Sequence, residues 1–236
     1  MNKLSDRLQM IADNIKPGET MVDIGTDHGF LPLYLIEQGI SPRVIMTDIS
    51  EPSLRKGIDG AEILGKNVPE IDIYERCDFR SGDGLTIIRA HEVDNVVIAG
   101  MGGLLMTEIL GEDISKTLSF KRLILQPRNH SEQLRKWLAS NGFNIVREQL
   151  VREGKFICEI ITAQPGRCVL PDRPGESELP KVLLEDYRDL AVEFAGIKVA
   201  IEEKILEGMS RGKESDPAEI QLIQKRIEYF REIANG

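Results

Sequence analysis

The first 163 residues alternate between short apolar runs and stretches with helical spacing. The run at residues 96–99 is continuously apolar, as expected for a central parallel strand that is buried on both faces. Residues 144–151 and 155–163 predict two further strands, and the tight turn between them indicates an antiparallel hairpin. Alternating strands and helices followed by a hairpin predict an α/β fold with one antiparallel edge. The other predicted strands are residues 20–24, 43–48, 71–75 and 123–126, and the predicted helices are residues 3–15, 31–38, 53–64, 104–110 and 131–141.

The C-terminal part of the chain has a different pattern. Its apolar residues step by three and four along two segments, which predicts two helices with heptad-like seams. The polar stretch at residues 210–217 separates the two segments, and so short a connection predicts antiparallel neighbours. This hairpin could pack on itself, cover the sheet or hold a substrate. The first seam is Leu183, Tyr187, Leu190, Phe194, Ile197 and Ile201, and the second is Ile220, Ile223, Ile227 and Phe230.

A stretch rich in proline and glycine lies between these two parts, at residues 164–180, and it is typical of a linker. The sequence therefore predicts a sheet domain at residues 1–163, a linker at residues 164–180 and a helical hairpin or coiled coil at residues 181–236.

Composition narrows the class of protein. The 236 residues are 41% hydrophobic and 29% charged, as in ordinary soluble domains. No apolar run approaches the roughly 20 residues that span a bilayer, and the N-terminal segment lacks the apolar core of a signal peptide. The three cysteines are not at metal-ligand spacing, so we expect neither a disulfide framework nor a metal site. These features predict a cytoplasmic protein.

Charge is distributed unevenly along the chain. The formal net charge is −9, which disfavours non-specific nucleic-acid binding by the whole surface. Residues 116–155 nevertheless contain nine basic and three acidic side chains. This stretch is either a solvated helix face or a local surface for a polyanion.

A glycine-containing loop, residues 23–29, follows the first predicted strand and precedes a helix. Dinucleotide folds place a diphosphate in such a turn with the pattern GxGxxG. Here Asp27 occupies the middle glycine position and Asp23 precedes the first glycine. Two carboxylates would repel a diphosphate and attract the sulfonium and amino groups of S-adenosylmethionine (SAM). The loop therefore favours SAM over NAD.

Polar residues follow the other predicted strands at what should be the same edge of the sheet. Asp48 is placed to accept hydrogen bonds from ribose hydroxyls, although it could simply favour the N-terminus of the next helix. Asp83 could accept from an adenine amino group, or lie in a plain turn. The glycines of residues 97–103 leave space for a flat base, or form a phosphate-binding turn. Residues 126–130 could contact a base or a phosphate.

Five motifs together resemble the bacterial tRNA adenine-N1-methyltransferases that modify adenosine 22. The resemblance covers essentially the whole chain, and the IAGMGG string is its most specific part. It implies a Rossmann-like class I methyltransferase sheet of seven strands with the last antiparallel, a C-terminal coiled coil, SAM as cofactor and tRNA as partner. The motifs are LSDRL at residues 4–8, DIGTDHGFLP at 23–32, SGDGL at 81–85, IAGMGG at 98–103 and LQP at 125–127.

The same resemblance implies roles for individual residues. The family has Asn directly after the Gln-Pro pair, whereas Arg128 stands there in this chain and Asn129 follows, which weakens the role of Asn129. The cofactor-binding candidates are Asp23, Gly25, Thr26, Asp27, His28, Gly29, Asp48, Ile49, Asp83, Gly84, Ala99, Gly100 and Met101. The candidates for contact with the target base are Asp27, Met101, Gly102 and Asn129. The candidates for RNA binding rest on their positive charge instead, and they are Arg7, Arg128, Arg135 and Lys136.

The expected reaction is attack of adenine N1 on the methyl group, in line with the departing sulfur. Neutral adenine carries no proton on N1, so no general base is required, and positioning should supply most of the acceleration. A monomer suffices for this chemistry. The alternatives are a SAM-dependent methyltransferase for another RNA position, a protein or a small molecule, a nicotinamide-dependent oxidoreductase, and a non-catalytic protein whose hairpin binds a partner.

Overall fold

The computed structural model describes residues 3–211 and 216–236. Its sheet has the strand order β3-β2-β1-β4-β5-β7-β6, and β7 is antiparallel to both of its neighbours. The predicted α/β fold of seven strands with the last antiparallel is therefore confirmed. The strands are β1 (Met21–Ile24), β2 (Val44–Asp48), β3 (Cys77–Ser81), β4 (Asn95–Met101), β5 (Arg122–Pro127), β6 (Phe143–Glu153) and β7 (Phe156–Pro165).

Helices cover both faces of the sheet. Because neighbouring residues on a strand point to opposite faces, Val97 packs into one apolar cluster while Val96 and Ile98 pack into the other. The first cluster includes α1, α2 and α3, and the second includes α5 and α7. This double cover explains the uninterrupted apolar run of β4. The helices are α1 (Asp6–Ala12), α2 (Phe30–Glu37), α3 (Glu51–Asn67), α4 (Ile73–Arg76), α5 (Gly103–Gly111), α6 (Ile114–Thr117), α7 (Ser131–Ser140), α8 (Leu183–Asp186), α9 (Arg188–Arg211) and α10 (Pro217–Ala234).

The strand order reverses between β1 and β4, which are hydrogen-bonded neighbours in the sheet. In open α/β sheets, ligands bind at such a reversal, beyond the carboxyl ends of the strands. The register aligns Ile24 with Ile98 and Asp48 with Ser81, so the loops that follow β1 to β4 share one edge. This edge is where the sequence places its candidate ligand-binding residues.

The third predicted strand, at residues 71–75, is wrong. In the structure Asp72 is the N-cap of the short helix α4, and its carboxylate accepts from the N–H groups of Tyr74 (3.0 Å) and Glu75 (3.1 Å). A short acidic side chain that binds the backbone locally favours a helix start over a strand. The strand begins only at Cys77.

The C-terminal helices α9 and α10 are antiparallel neighbours, since Gly236, just beyond the end of α10, lies close to Arg188 at the start of α9. Arg231 of α10 also pairs with Glu203 of α9 at 2.5 Å. Most of the polar turn predicted at residues 210–217 lies outside the described residues. Along the described chain, no helix combines the length and the apolar character needed to cross a membrane.

The first predicted seam needs correction. Leu183 belongs to the separate helix α8, and Ile197 and Ile201 are 39% and 48% exposed. The buried face of α9 instead uses Ala191, Phe194 and Ala195, because small alanines let the packed helices approach closely. In the second seam, Ile223, Ile227 and Phe230 are buried as predicted.

The hairpin packs against the edge of the sheet. Leu150 of β6 shares an apolar cluster with Leu183, Phe194 and Phe230. The stretch predicted as a linker contributes to the same cluster, because Leu179 is fully buried and its carbonyl accepts from the Tyr229 hydroxyl at 2.7 Å. The division of the chain into three parts stays a prediction.

Arg135 is buried between the sheet and the segment predicted as a linker, residues 164–180. Its guanidinium binds Glu148 and Glu159, each at 2.8 Å, and donates to the carbonyls of Ser177 and Glu178. The side chain is 1% exposed and cannot reach RNA, so the RNA-binding role predicted for Arg135 is wrong. Arg122, also counted in the basic stretch, is buried against Glu19 and Asn95.

Replacement of Arg135 by alanine should leave two buried carboxylates without a partner. We expect Arg135→Ala to lower the free energy of unfolding by about 3–5 kcal/mol in urea titrations. The matched control is Lys136→Ala on the same helix; Lys136 is 59% exposed and pairs with Glu132, so its loss should cost less than about 1 kcal/mol. Equal losses for the two variants would contradict this assignment.

Candidate functional site

A pocket of about 650 Å³ lies at the carboxyl edge of the sheet, between the loops that follow β1, β2, β3 and β4. It brings together every predicted cofactor-binding residue except Gly29. Two of the predicted RNA-binding residues, Arg7 and Arg128, line the same pocket. The predicted cofactor residues in its lining are Asp23, Gly25, Thr26, Asp27, His28, Asp48, Ile49, Asp83, Gly84, Ala99, Gly100 and Met101.

Three of the candidates for cofactor or base contact lie outside the pocket lining. Gly29 is the N-cap of α2 with φ 68°, and a Cβ there would lie 2.9 Å from the sulfur of Met46, so this glycine serves the packing of the helix. Gly102 and Asn129 lie beside each other, since a Cβ on Gly102 would be 3.0 Å from Asn129 Oδ1. The structure therefore places these last two as a pair next to the pocket.

Asp23, near the end of β1, is a buried carboxyl group in the pocket wall. Burial raises its pKa to about 6, and the nearby Asp48 carboxylate contributes in the same direction. A 2.9 Å hydrogen bond from the Thr26 hydroxyl and the charge of Arg7 only partly oppose this shift. A positive charge in the pocket would therefore stabilise ionised Asp23.

Asp27 lies in the left-handed region with φ 45°, where aspartate is tolerated better than most residues. Its carboxylate binds Lys56 Nζ at 2.8 Å and His28 Nδ1 at 2.6 Å. The bond from Lys56 is the largest cause of the lowered pKa of Asp27. The negative charge of Asp27 is thus balanced by the protein itself, and one of its oxygens fixes the His28 ring.

Asp48 connects two of the loops around the pocket. Its Oδ1 accepts from the N–H of Ser50 at 2.8 Å, and its Oδ2 accepts from the N–H of Asp27 at 3.3 Å. Ser50 is the N-cap of α3. Asp48 therefore lies close to the N-terminus of a helix and also lines the pocket, and its location is compatible with either predicted role.

Backbone irregularity at the end of β4 opens the pocket floor. The pairing of β4 with β5 shifts register between Ala99 and Met101, as in a β-bulge, and Gly100 has φ 75°. A Cβ on Gly100 would lie 3.6 Å from Nη2 of Arg128, so the guanidinium lies close to the bare backbone. Gly25 also has a positive φ, of 76°, and approaches the methyl group of Met101 closely.

Arg7, on α1, is held at the pocket by two side-chain contacts and one backbone contact. Its Nη1 donates to Gln126 Oε1 at 3.1 Å, and its Nε lies 3.5 Å from a carboxylate oxygen of Glu153. The backbone N–H of Arg7 also donates to Glu153, at 3.3 Å. The hairpin of β6 and β7 therefore fixes the N-terminal helix against the site.

Several pocket residues were not predicted from the sequence. Phe30 and Leu105 lie in the first turns of helices that follow the glycine-rich loops, a position that could have indicated them, and Ile109 lies one turn after Leu105. The others lack a recognisable signal because they are ordinary apolar, threonine or glycine residues. The unpredicted lining residues are Leu8, Ile24, Phe30, Leu31, Thr47, Gly82, Leu105 and Ile109.

The charges of the pocket favour one class of ligand. Four aspartates line it, namely Asp23, Asp27, Asp48 and Asp83, against two arginines. A diphosphate would meet net repulsion here, whereas a ligand with a positive group would be attracted. Within residues 3–211 and 216–236, no cluster of three or more histidine, cysteine, aspartate or glutamate side chains could hold a metal ion.

Comparison with known proteins identifies relatives of this chain. A family model described as a methyltransferase domain matches residues 4–161. The tRNA (adenine(22)-N(1))-methyltransferase of Bacillus subtilis is 34% identical over 165 residues, which cover 70% of this chain and 66% of that protein. The crystal structure of the B. subtilis m1A22 tRNA methyltransferase TrmK has a TM-score of 0.85 and 26% identity, covering 98% of this chain and 99% of that chain. A Streptococcus pneumoniae protein in complex with S-adenosyl-L-methionine has a TM-score of 0.81 and 28% identity, covering 98% and 100%.

The raised pKa of Asp23 has a consequence for stability. Between its ordinary pKa of 3.8 and about 6, the folded state binds more protons than the unfolded state, so this residue destabilises the fold increasingly as pH rises through that window. Above pH 6 the loss of folding free energy reaches its full value. It amounts to roughly 3 kcal/mol, because a change of one pKa unit corresponds to about 1.4 kcal/mol.

We therefore expect Asp23→Asn to raise the free energy of unfolding at pH 8, with a gain that shrinks as pH is lowered toward 4. Urea titrations at both pH values measure this change. Asp172→Asn, at an exposed loop position, serves as the control and should have little effect at either pH. A gain that does not depend on pH, or a loss at pH 8, would overturn the assignment.

Proposed function

We propose that this chain, which belongs to the family of bacterial tRNA (adenine(22)-N1)-methyltransferases, transfers a methyl group from SAM to N1 of adenosine 22 in tRNA. The observation that supports this most directly is the pocket at the reversal of strand order, with four aspartates around a glycine-rich floor. The charge of this pocket suits a cationic ligand better than a dinucleotide.

The residues of the pocket fit this cofactor. We assign the methionine end to the loop with Asp23, Gly25 and His28, because a buried acid there favours a neighbouring positive charge. Asp48 ends its strand and keeps lone pairs for ribose hydroxyls. Asp83 and the apolar side chain of Ile49 are assigned to the adenine. When bound, SAM supplies an electrophilic methyl group on a sulfonium, which adenine N1 attacks in line.

The chain's own residues act by positioning and by charge. N1 of neutral adenine has a free lone pair, so no side chain has to remove a proton before attack. The methylated base is cationic, and the carboxylates of the pocket stabilise that developing charge. We propose Asp27, Met101, Gly102 and Asn129 as neighbours of the target base. Asp27 acts partly through His28, since its carboxylate already binds that ring and Lys56.

The tRNA is proposed to contact basic side chains around the pocket. Arg7 and Arg128 line it, and Lys136 is exposed on α7 close to its partner Glu132. Since the described pocket is complete within one chain, we propose that the enzyme works as a monomer. Free cysteines and a tRNA substrate are consistent with the cytoplasm.

The function can be tested directly with unmodified tRNA. Incubation of the protein with isotopically labelled SAM and unmodified tRNA, followed by nucleoside mass spectrometry, should yield labelled 1-methyladenosine. Mapping by nuclease digestion should place the label at adenosine 22, and a tRNA with guanosine at that position should remain unlabelled. Label on another nucleoside or position would refute the assigned substrate.

Reversal of charge at the pocket rim should weaken RNA binding. We expect Arg128→Glu to lower the affinity for tRNA and to reduce the slope of log K against log salt by about one unit. Fluorescence anisotropy at several KCl concentrations measures both quantities. Lys66→Glu is the matched control, because it makes the same charge change at the exposed far end of α3. If both variants bind tRNA equally well, Arg128 does not contact the RNA.

A further inference from the structure

Two rings lie parallel at the mouth of the pocket. The His28 and Phe30 rings have centroids 5.1 Å apart and an interplanar angle of 8°. Both side chains line the pocket, and both are about half exposed, His28 at 47% and Phe30 at 54%. We call this pair the aromatic platform.

Phe30 contributes little to the core of the fold. It is the first residue of α2, whose other apolar residues, such as Leu31, Leu33 and Leu35, are almost fully buried. An exposed aromatic ring forgoes the favourable burial of its apolar surface. Ile49 and Leu105, at 73% and 47% exposure, line the same pocket, so the charged interior is bordered by exposed apolar side chains. Such a border indicates contact with a ligand.

The orientation of the platform is fixed by neighbouring groups. Nδ1 of His28 lies 2.6 Å from Asp27, whose other oxygen binds Lys56 at 2.8 Å. Gly29, in the left-handed conformation, separates the two aromatic residues and allows their rings to face each other. A side chain held in this way is preorganised and loses little freedom when a ligand binds.

We propose that the aromatic platform receives a nucleobase of the RNA by stacking on the exposed ring of Phe30, while the His28 ring supports Phe30 from behind and keeps its assigned place beside the cofactor. The proposal rests on the proposed function. N1 lies on the edge of adenine that is used in base pairing, so the base must leave any helical stack before it can be methylated. A base removed from its stack is held by aromatic faces, each stacked base contributing on the order of 1–3 kcal/mol.

The surroundings of the platform suit a nucleotide. Arg7 and Arg128 line the same pocket and can bind the phosphates that flank the base, whereas Asp23 is buried in the pocket wall. Phe30 has no polar group with which to read a base edge. The platform would therefore hold a purine by its face and leave the identity of the base to other residues.

The test compares Phe30→Leu, which keeps an apolar side chain without a π face, with Phe30→Trp, which keeps the π face. Tyr74→Leu is the control, since Tyr74 is 79% exposed on α4 at the opposite, amino-terminal edge of the sheet. For each variant, KM and kcat are measured on unmodified tRNA, and the Kd for SAM is measured by calorimetry without tRNA.

We expect Phe30→Leu to lower kcat/KM for tRNA on the order of 10- to 100-fold through a higher KM, with the Kd for SAM unchanged. Phe30→Trp should retain most of the activity, and Tyr74→Leu should match the wild type. A wild-type KM in Phe30→Leu, or a weaker affinity for SAM with no change toward tRNA, would overturn the platform alone. A wild-type enzyme that methylates no adenosine in tRNA would instead refute the proposed function, and the platform with it.

Discussion

The concentration of aspartates at one edge of the sheet is the constraint on which the site depends. Parallel strands end side by side, so the ends of β1 and β2 and the loop after β3 bring Asp23, Asp48 and Asp83 into one pocket. Burial raises the pKa of Asp23, and the negative charge of the nearby Asp48 raises it further. Such an arrangement is unfavourable for the protein alone and becomes favourable when a positive charge enters. The site is thus complementary to a cation before any ligand is considered.

The aspartates of the pocket differ in how far neighbouring positive groups compensate their negative charge. The charge of Asp27, at the exposed side of the loop, is compensated by Lys56 and His28. The raised pKa of the buried Asp23 is only partly offset by the Thr26 hydroxyl and the charge of Arg7. The Asp27 carboxylate therefore orients the His28 ring, whereas ionised Asp23 would still be stabilised by an additional positive charge. A methyl donor with a sulfonium and a target base that becomes cationic both place positive charge in such a pocket. This shared sign connects cofactor binding with the chemistry of the proposed reaction.

Much of this arrangement could be predicted from the sequence, because it depends on the order of strands and loops. The positions of Asp23, Asp48 and Asp83 at or just after the ends of successive strands were enough to place them at one edge, and the continuous apolar run of β4 indicated a central strand. The strand predicted at residues 71–75 was wrong because the local cap of Asp72 outweighs an alternating pattern. Arg135 and Phe30 could not be assigned, since burial of a charge and exposure of a ring depend on tertiary packing. Nothing in the sequence distinguishes Arg135, fully buried between two glutamates, from its exposed neighbour Lys136.

Proton release on cofactor binding tests the electrostatic account most directly. With a pKa of about 6, Asp23 carries a proton in about half of the free molecules at pH 6, and a bound cation should displace it. Calorimetric titrations of SAM at pH 6, in two buffers with different ionisation enthalpies, measure the number of protons exchanged. The account predicts release of about half a proton per site by the wild type and markedly less by Asp23→Asn. Binding without net proton release in the wild type, or equal release by both proteins, would contradict it.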